Sequence, residues 1–449
     1  MRIAILLIVY YLSAAYSIVN PAFGLLFFIH ITIFRPEALA WGNPAFGRLH
    51  MIAALITLLS YFIQRPYYFF QRKTYKPLIK GCYNNTTSFI FLCFVLWLFV
   101  VTIFAKISVQ LSFNQAWEIM KIYVLCFLFT KLITSKSRIE LYVWITSISF
   151  GMLSFWGFLQ GVVGNRRLDT LWPGGSNYIA VQLVLMAPFV FAKVFDAALG
   201  LIYRLGFFAC TISIILCCVY TDSRGGLIGL VIGIFVFVAR IKHRYRVTAG
   251  LVILIFLVHP WIPHDYSDRI NSIFAEKEER DASAESRFVL WQIAFRIWQD
   301  HPITGVGLRN FSPVKDTYAQ NFSDFSDIVT SEEMYGLIFN QERRPHGLYT
   351  GMMAETGLIG IGLYLILLFR GMYCRFSSLS ISHASMYLQV RGAQAGLVGF
   401  AIAALFGDFQ YIETFYLQLF FIGAVRGYTD SFIDRRETDK SQVAILASA

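Results

Sequence analysis

Charge is what this chain has least of. Asp, Glu, Lys and Arg make up 14% of its 449 residues, where a soluble globular protein carries about 25%. Hydrophobic residues reach 57%, so an ordinary water-soluble domain is excluded. There is no Gly-rich loop with Lys and Ser/Thr to cradle a nucleotide, so nothing implies ATP. There is no cluster of carboxylates or histidines to hold a metal, so neither a metal nor any other cofactor is expected. The seven cysteines are Cys82, Cys93, Cys126, Cys210, Cys217, Cys218 and Cys374. None lies in the long polar stretch of the chain, and no spacing suits zinc or redox chemistry, which argues against a disulfide framework. No cleavable signal peptide is expected, because the first apolar run has one Arg before it and leads straight into a second. No soluble linker, low-complexity tract or internal repeat is visible.

What is there is a series of apolar runs. About 20 mostly apolar residues cross the hydrocarbon core of a bilayer as a helix. The candidates are Ile3–Val19, Pro21–Phe34, Leu49–Ile63, Ser88–Ala105, Trp117–Thr134, Leu141–Val163, Asn177–Leu199, Tyr203–Tyr220, Gly225–Ala239, Val247–Ile262, Leu348–Phe369, Ala393–Phe406 and Phe409–Ala424. The chain is therefore expected to be an all-α polytopic membrane protein. It has 12 or 13 spans, depending on whether the short first pair, split at Asn20-Pro21, counts as two.

The formal charge of +11 would suggest nucleic acid in a soluble protein. Here no nucleic-acid partner is expected, and the distribution of the charge reads as topology. One alternating set of connections and the C-terminal tail hold 21 of the 38 Lys and Arg residues, beginning with Arg65, Arg72, Lys73, Lys76 and Lys80. The short connections on the other side hold Lys106, Arg166, Arg167 and Arg224. Basic short loops stay in the cytoplasm, so the tail is expected there, and the protein in a cytoplasmic (inner) membrane. The side on which the N-terminus lies is left open. The connection Pro263–Gly347, between the tenth and eleventh candidate spans, falls outside and is net acidic at −5. It is far longer than a simple turn, and its helical periodicity predicts a folded helical loop. Three segments follow: N-terminal helices at 1–176, a membrane domain at 177–424 that includes the loop 263–347, and a cytoplasmic tail at 425–449.

Ionisable groups at the edges of spans are costly unless paired or hydrated. Arg224 sits in the turn Thr221-Asp222-Ser223-Arg224-Gly225-Gly226, where it pairs with Asp222 or a lipid headgroup, or else serves a site. Glu285-Ser286-Arg287 opens a helical stretch in which Phe288, Trp291, Ala294, Phe295 and Trp298 recur at helical spacing. That pattern predicts an amphipathic helix along the membrane interface, with Ser283 or Ser286 as its cap, Trp as its anchor and His301-Pro302 as its end. Gly305-Val306-Gly307-Leu308-Arg309-Asn310-Phe311 follows as a turn that presents backbone donors. Arg343-Arg344-Pro345-His346-Gly347 precedes the next span, and Glu355 lies inside it. A histidine there is either structural or a proton acceptor near neutral pH. Asn165-Arg166-Arg167-Leu168-Asp169, the pair Glu118 and Lys121, and Asp408 between the last two spans are weaker signals. Arginine forks suit phosphate oxygens, so several arginines and one histidine on the outer face fit an enzyme acting on a phosphorylated lipid.

Three stretches carry a resemblance. Thr221–Leu230 (TDSRGGLIGL), Ser286–Phe311 (SRFVLWQIAFRIWQDHPITGVGLRNF) and Pro345–Gly360 (PHGLYTGMMAETGLIG) occur in the order seen in the O-antigen ligase/polymerase superfamily of bacterial membrane glycosyltransferases. They flank that family's large periplasmic loop, in the C-terminal half of the chain. Arg35-Pro36-Glu37 is similar to a subgroup of O-glycosylation ligases linked to exopolysaccharide and exosortase clusters.

The resemblance implies transfer of a glycan from an undecaprenyl-diphosphate carrier to an acceptor hydroxyl in the periplasm, without nucleotide or metal. The acceptor is a lipid A-core sugar, a polysaccharide repeat unit or a protein. Arg224 and Arg287 would hold the diphosphate, and His346 would act as base. Arg166, Lys121, Arg309 and Asp408 would line the substrate site. Gly347 departs from the family, where Asn or Ser often follows the histidine. A repeat-unit polymerase is the close alternative. A polysaccharide or lipid transporter, or a non-catalytic envelope scaffold, is the alternative from another class. Oligomeric state is not legible.

Overall fold

The computed structural model describes residues 2–34, 49–71, 82–164, 175–242, 244–258, 282–318, 338–339, 343–374 and 384–448. In chain order its α-helices are α1 (Arg2–Val19), α2 (Pro21–Phe34), α3 (Leu49–Gln71), α4 (Cys82–Ile103), α5 (Val109–Leu132), α6 (Lys136–Gly164), α7 (Ser176–Ala192), α8 (Leu201–Tyr220), α9 (Arg224–Ala239), α10 (Arg244–Val258), α11 (Ala282–Asp300), α12 (Phe311–Lys315), α13 (Leu348–Met372), α14 (Ala384–Ala403) and α15 (Glu413–Ser448). No strand occurs among the described residues, and the protein is an all-α polytopic membrane protein. Each of the thirteen apolar runs overlaps a helix among the described residues.

Among the described residues, six helical stretches are long and apolar enough to cross a membrane: Tyr83–Ile103, Lys136–Val163, Ser176–Phe195, Leu201–Tyr220, Leu348–Met372 and Ala384–Phe406. Four shorter apolar helices accompany them: Leu7–Val19, Pro21–Phe34, Leu49–Gln64 and Arg224–Ala239. Charge explains two of the remaining runs. α5 carries Glu118, Lys121 and Lys131, and α15 continues from an apolar start into a charged tail.

Every residue of α7 except Asn177 and Tyr178 is buried. It is packed by α14, α9 and α8. Lipid offers no hydrophobic gain for helix association, so close backbone approach has to supply the contact. Gly392, Gly396 and Gly399 of α14 bring its backbone onto α7 and α9. The outer helices turn apolar side chains outward instead, among them Leu12, Ile63, Ile202 and Phe235. Such a surface would be untenable in water.

The described part of the long loop makes a small core of its own. α11 buries Val289, Leu290, Ile293, Ala294 and Ile297 against Val306, Phe311, Val314, Ile338 and Ala354. The aliphatic residues make the core, while Phe288 and Phe295 stay exposed on the other side.

The loop is fastened to a break in α13. Gly357 has φ 65° and ψ −171°, a conformation open in practice only to glycine. Backbone groups freed inside a membrane protein must find partners. Here Val306 N donates to Ala354 O at 3.0 Å, Gly307 N to Glu355 O at 3.0 Å, and Leu358 N to Pro302 O at 2.8 Å. Trp97 Nε1 donates to Thr356 O at 3.0 Å. A Cβ on Gly305 (φ 66°) would stand 2.5 Å from Ala354 O, so glycine is required on the loop side as well.

Candidate functional site

The segment after α11 is built around Asn310, which is fully buried. Its Oδ1 accepts from Ile107 N (3.0 Å) and Ser108 N (2.7 Å). Its Nδ2 donates to Ser108 O (3.1 Å), Ser112 Oγ (2.9 Å) and Leu308 O (2.9 Å). The loop is thereby tied to the start of α5. Arg309, in the left-handed region at φ 61°, is turned away from this knot. Its Nε donates to Gln115 Oε1 at 2.6 Å, and its guanidinium stands 5.9 Å from the centre of the Tyr411 ring.

Arg309 reaches a cavity of about 840 Å³. Four of the residues singled out in the sequence line it: His346, Arg309, Lys121 and Asp408. Arg343 and Arg344 line it too. Lys121 pairs with Glu118 across 2.6 Å, both side chains being exposed to the cavity side of α5.

Asp408 explains how His346 is held. It lies between α14 and α15, and the backbone amides of Gly347 and His346 donate to its carboxylate. A Cβ on Gly351 would come within 3.2 Å of its Oδ1. Asp408 thus caps the start of α13 from another part of the chain, where Gly347 provides no side-chain cap. His346 occupies the left-handed region at φ 49°, and the cap holds that turn. Burial pushes the Asp408 carboxyl up to about 6, against the Arg344 charge and the two amides, which pull it down.

His346 is half-buried. Burial first, then the charges of Arg287, Arg343 and Arg344, hold its imidazole down to about 4. At neutral pH the ring is uncharged and has a lone pair to offer. Arg287 is therefore within electrostatic reach of His346, although it does not line the cavity. One turn along α11 from Arg287, Trp291 packs at the next residue of the histidine segment. A Cβ on Gly347 would stand 2.9 Å from Trp291 Nε1, so the indole takes the space that a larger residue after the histidine would need.

Arg224 opens α9 after the cap Ser223, whose Oγ accepts from Gly226 N at 3.2 Å. The adjoining Gly225 packs on Phe406, two residues before Asp408. Arg224 thus flanks the loop that carries Asp408 and does not line the cavity itself. Arg166 and Arg35-Pro36-Glu37 lie outside the described residues.

Arg343 and Arg344 were visible as a basic run before His346 but had no assigned role. Asn177, Tyr178 and Glu413 also line the cavity and had no motif to announce them. Asn177 and Tyr178 open an apolar run, and Glu413 lies inside one.

Residues 208–365 match the family described as O-antigen ligase. No curated protein matches the chain. The matched stretch begins in α8 and ends in α13, so it takes in Arg224, Arg287, Arg309, Arg343, Arg344 and His346, while Lys121 and Asp408 lie outside it. Over residues 208–365 the chain is thus similar to the O-antigen ligase family.

Proposed function

We propose that the protein is a membrane glycosyltransferase that moves an oligo- or polysaccharide from undecaprenyl diphosphate to an acceptor hydroxyl on the periplasmic side of the inner membrane. The observation that carries this reading is the convergence of an uncharged His346 with Arg309, Arg343 and Arg344 on one cavity. The acceptor oxygen attacks the anomeric carbon of the donor sugar. The bond from that carbon to the diphosphate breaks, and its electron pair leaves on the diphosphate oxygen. His346 takes the proton of the attacking hydroxyl. Prepositioned guanidinium groups stabilise the charge that develops on the leaving oxygen. Arg287 and Arg224 act from the flanks of the cavity, Arg287 through its field at His346. Arg343 and Arg344 take over part of the role that the sequence assigned to those two. No nucleotide or metal enters this scheme.

His346→Ala is expected to lower transfer by about 10² to 10⁴-fold, the usual weight of a general base. The protein should still be inserted and fold normally. Membranes carrying the variant would be supplied with a lipid-diphosphate-linked glycan and scored for new glycoconjugate. Normal product from His346→Ala, Arg344→Ala and Arg287→Ala alike would sink the proposal. Product length separates two forms of the reaction. Loss of a polymerase leaves single repeat units, and loss of a ligase leaves long carrier-linked polymer.

One observation favours a transporter: broken helices are common in transporters, and α13 is broken at Gly357. The freed backbone groups, however, are already taken by the 302–307 segment and Trp97. Translocation of a labelled glycolipid without bond formation would favour the transporter.

A further inference from the structure

The ends of α9 and α14 away from the cavity bring two arginines together without a carboxylate. A Cβ on Gly229 would stand 2.6 Å from Gly399 O, and one on Gly233 would stand 3.3 Å from Ala395 O. The two helices therefore run antiparallel in close backbone contact. Carried on for two turns, the same register sets Arg240, the C-terminal cap of α9, level with Leu388, between Tyr387 and Arg391 of α14. Leu388 packs with Phe237 and Ile241 in a small core at this end. α9 has 16 residues and so is about 24 Å long, which separates this place from the cavity beside the loop of Asp408.

Arg391 is braced in position. Its Nη2 donates to Tyr387 Oη at 2.5 Å, and its guanidinium lies over that ring at 4.8 Å. Its Nη1 donates to Gln394 Oε1 at 3.4 Å, and Gln394 Nε2 donates to Cys374 O at 2.8 Å, which ties in the end of α13. Arg240 stands within electrostatic reach of Arg391, Tyr387 and Tyr373, and burial and the Arg391 charge both weigh against its own charge. A guanidinium stays charged all the same. Among the described residues the Arg240 side chain makes no hydrogen bond, and no carboxylate pairs with either arginine. No Asp or Glu occurs in residues 223–264 or 356–407. The buried carboxylate of Asp196 at this end is already taken by Lys193 and Ser385.

Two like charges held together at a membrane edge are costly, and an anion shared between them removes the cost. Guanidinium forks suit phosphate oxygens. Tyr387 accepts from Arg391 and keeps its own O–H to donate. An apolar path leads to the same place along α13, where Ile366, Phe369 and Tyr373 are exposed and the last two rings stack at 6.1 Å. We propose that Arg240 and Arg391, with Tyr373 and Tyr387, form a binding site for the phosphate of an anionic phospholipid, whose acyl chain lies along Ile366 and Phe369. Basic pockets between helices at a membrane surface hold such headgroups. The bound lipid bridges the ends of α9, α13 and α14. This site does not depend on the transfer reaction.

Thermal unfolding of the full-length protein in detergent tests this. The probes are phosphatidylglycerol, phosphatidylcholine and inorganic phosphate, each added in high salt, where attraction by exposed charges is screened. A ligand that binds only the folded protein raises its melting temperature, and phosphatidylglycerol is the one expected to do so. Arg240→Gln and Arg391→Gln should each weaken phosphatidylglycerol by about tenfold, read from the concentration dependence of the rise, the equivalent of one hydrogen bond to a charged group. Both should keep the lipid-free melting temperature, since neither takes a partner from a carboxylate. Arg244→Gln, at the exposed start of α10, should respond to phosphatidylglycerol as the wild type does. Equal losses in Arg244→Gln and Arg391→Gln would mark a diffuse surface charge and overturn the site. A lower lipid-free melting temperature in the variants, with the phosphatidylglycerol rise intact, would overturn it as well, since it marks arginines that only brace helices. A rise matched by phosphatidylcholine overturns the choice of an anionic headgroup, and one matched by inorganic phosphate overturns the choice of a lipid.

Discussion

At one end of the bundle Lys193 reaches Asp196 at 2.8 Å, with both side chains about 95% buried, and Ser385 donates to the same carboxylate. Nearby, Arg370 lies over the Tyr83 ring at 4.1 Å and donates to Thr87 Oγ1 and Tyr83 O, while Arg426 flanks the same ring and faces Asp430. At the other end Arg309, Arg343 and Arg344 line a cavity of about 840 Å³ together with a neutral histidine. Both ends hold cations in or beside a membrane, where charge is expensive. The first end uses protein partners to neutralise them and to lock helices together. The second collects their fields on a space large enough for a substrate. Local composition is similar at the two ends, and the arrangement of partners separates structure from site.

The largest test of that contrast is at the closed end. Lys193→Met leaves Asp196 buried without its cation, and breaking one partner of a buried pair costs about 3–5 kcal/mol. The variant should lose thermal stability in detergent, and the double variant Lys193→Met/Asp196→Leu should regain most of it. Turnover per folded molecule should not change. A drop in turnover in the double variant would break the division between the two ends.

A smaller effect is expected where the loop meets α13. Gly357→Ala forces a side chain into a backbone conformation that only glycine adopts, at a cost of about 1–3 kcal/mol. It also drives a Cβ into Ile303 O. Limited proteolysis should then cut within the 302–311 segment before it cuts the helices at the basic end. Equal protection at both ends would show that the loop is not held by the helix break.

The smallest effect sharpens the cavity end through pH. Asp408, raised to about 6, takes up a proton as pH falls through that value and loses its charge-assisted hold on the His346 and Gly347 amides. His346, held down to about 4, stays neutral over the same interval, so it contributes nothing to this limb. Transfer should therefore fall by about tenfold between pH 7 and pH 5, in line with the loss of a hydrogen bond to a charged group. Asp408→Asn should flatten that profile near the low-pH level. A profile unchanged in the variant would remove Asp408 from the positioning of His346.

Much of the architecture was legible because apolar run length answers directly to bilayer thickness, whatever the partners. The runs at Tyr203–Tyr220 and Leu348–Phe369 became α8 and α13 with ends shifted by no more than three residues. The amphipathic stretch after Arg287 also became a helix, α11. The aromatics dominate the sequence pattern, while the loop core that selects the aliphatic face is assembled from Val306, Phe311 and Ala354, which no local period reveals. For the site, the structure brings His346, Arg309, Lys121 and Asp408 to one cavity. Arg224 and Arg287 carried the strongest motif signals, yet they stand at its flanks.

The sequence by itself determined that this chain is a helical membrane protein and which stretches bring charge to a membrane edge. Those properties depend on residues adjacent in the chain. Only the tertiary structure decided that Asp408 caps the turn at His346, that Asn310 ties the loop to Ile107 and Ser108, and that Glu413 and Tyr178 face the cavity. Each of these contacts joins residues from about 60 to more than 200 positions apart. Their partners are chosen by helix packing, where every buried polar group must find a specific acceptor or donor, and no pattern along the chain encodes which one it finds.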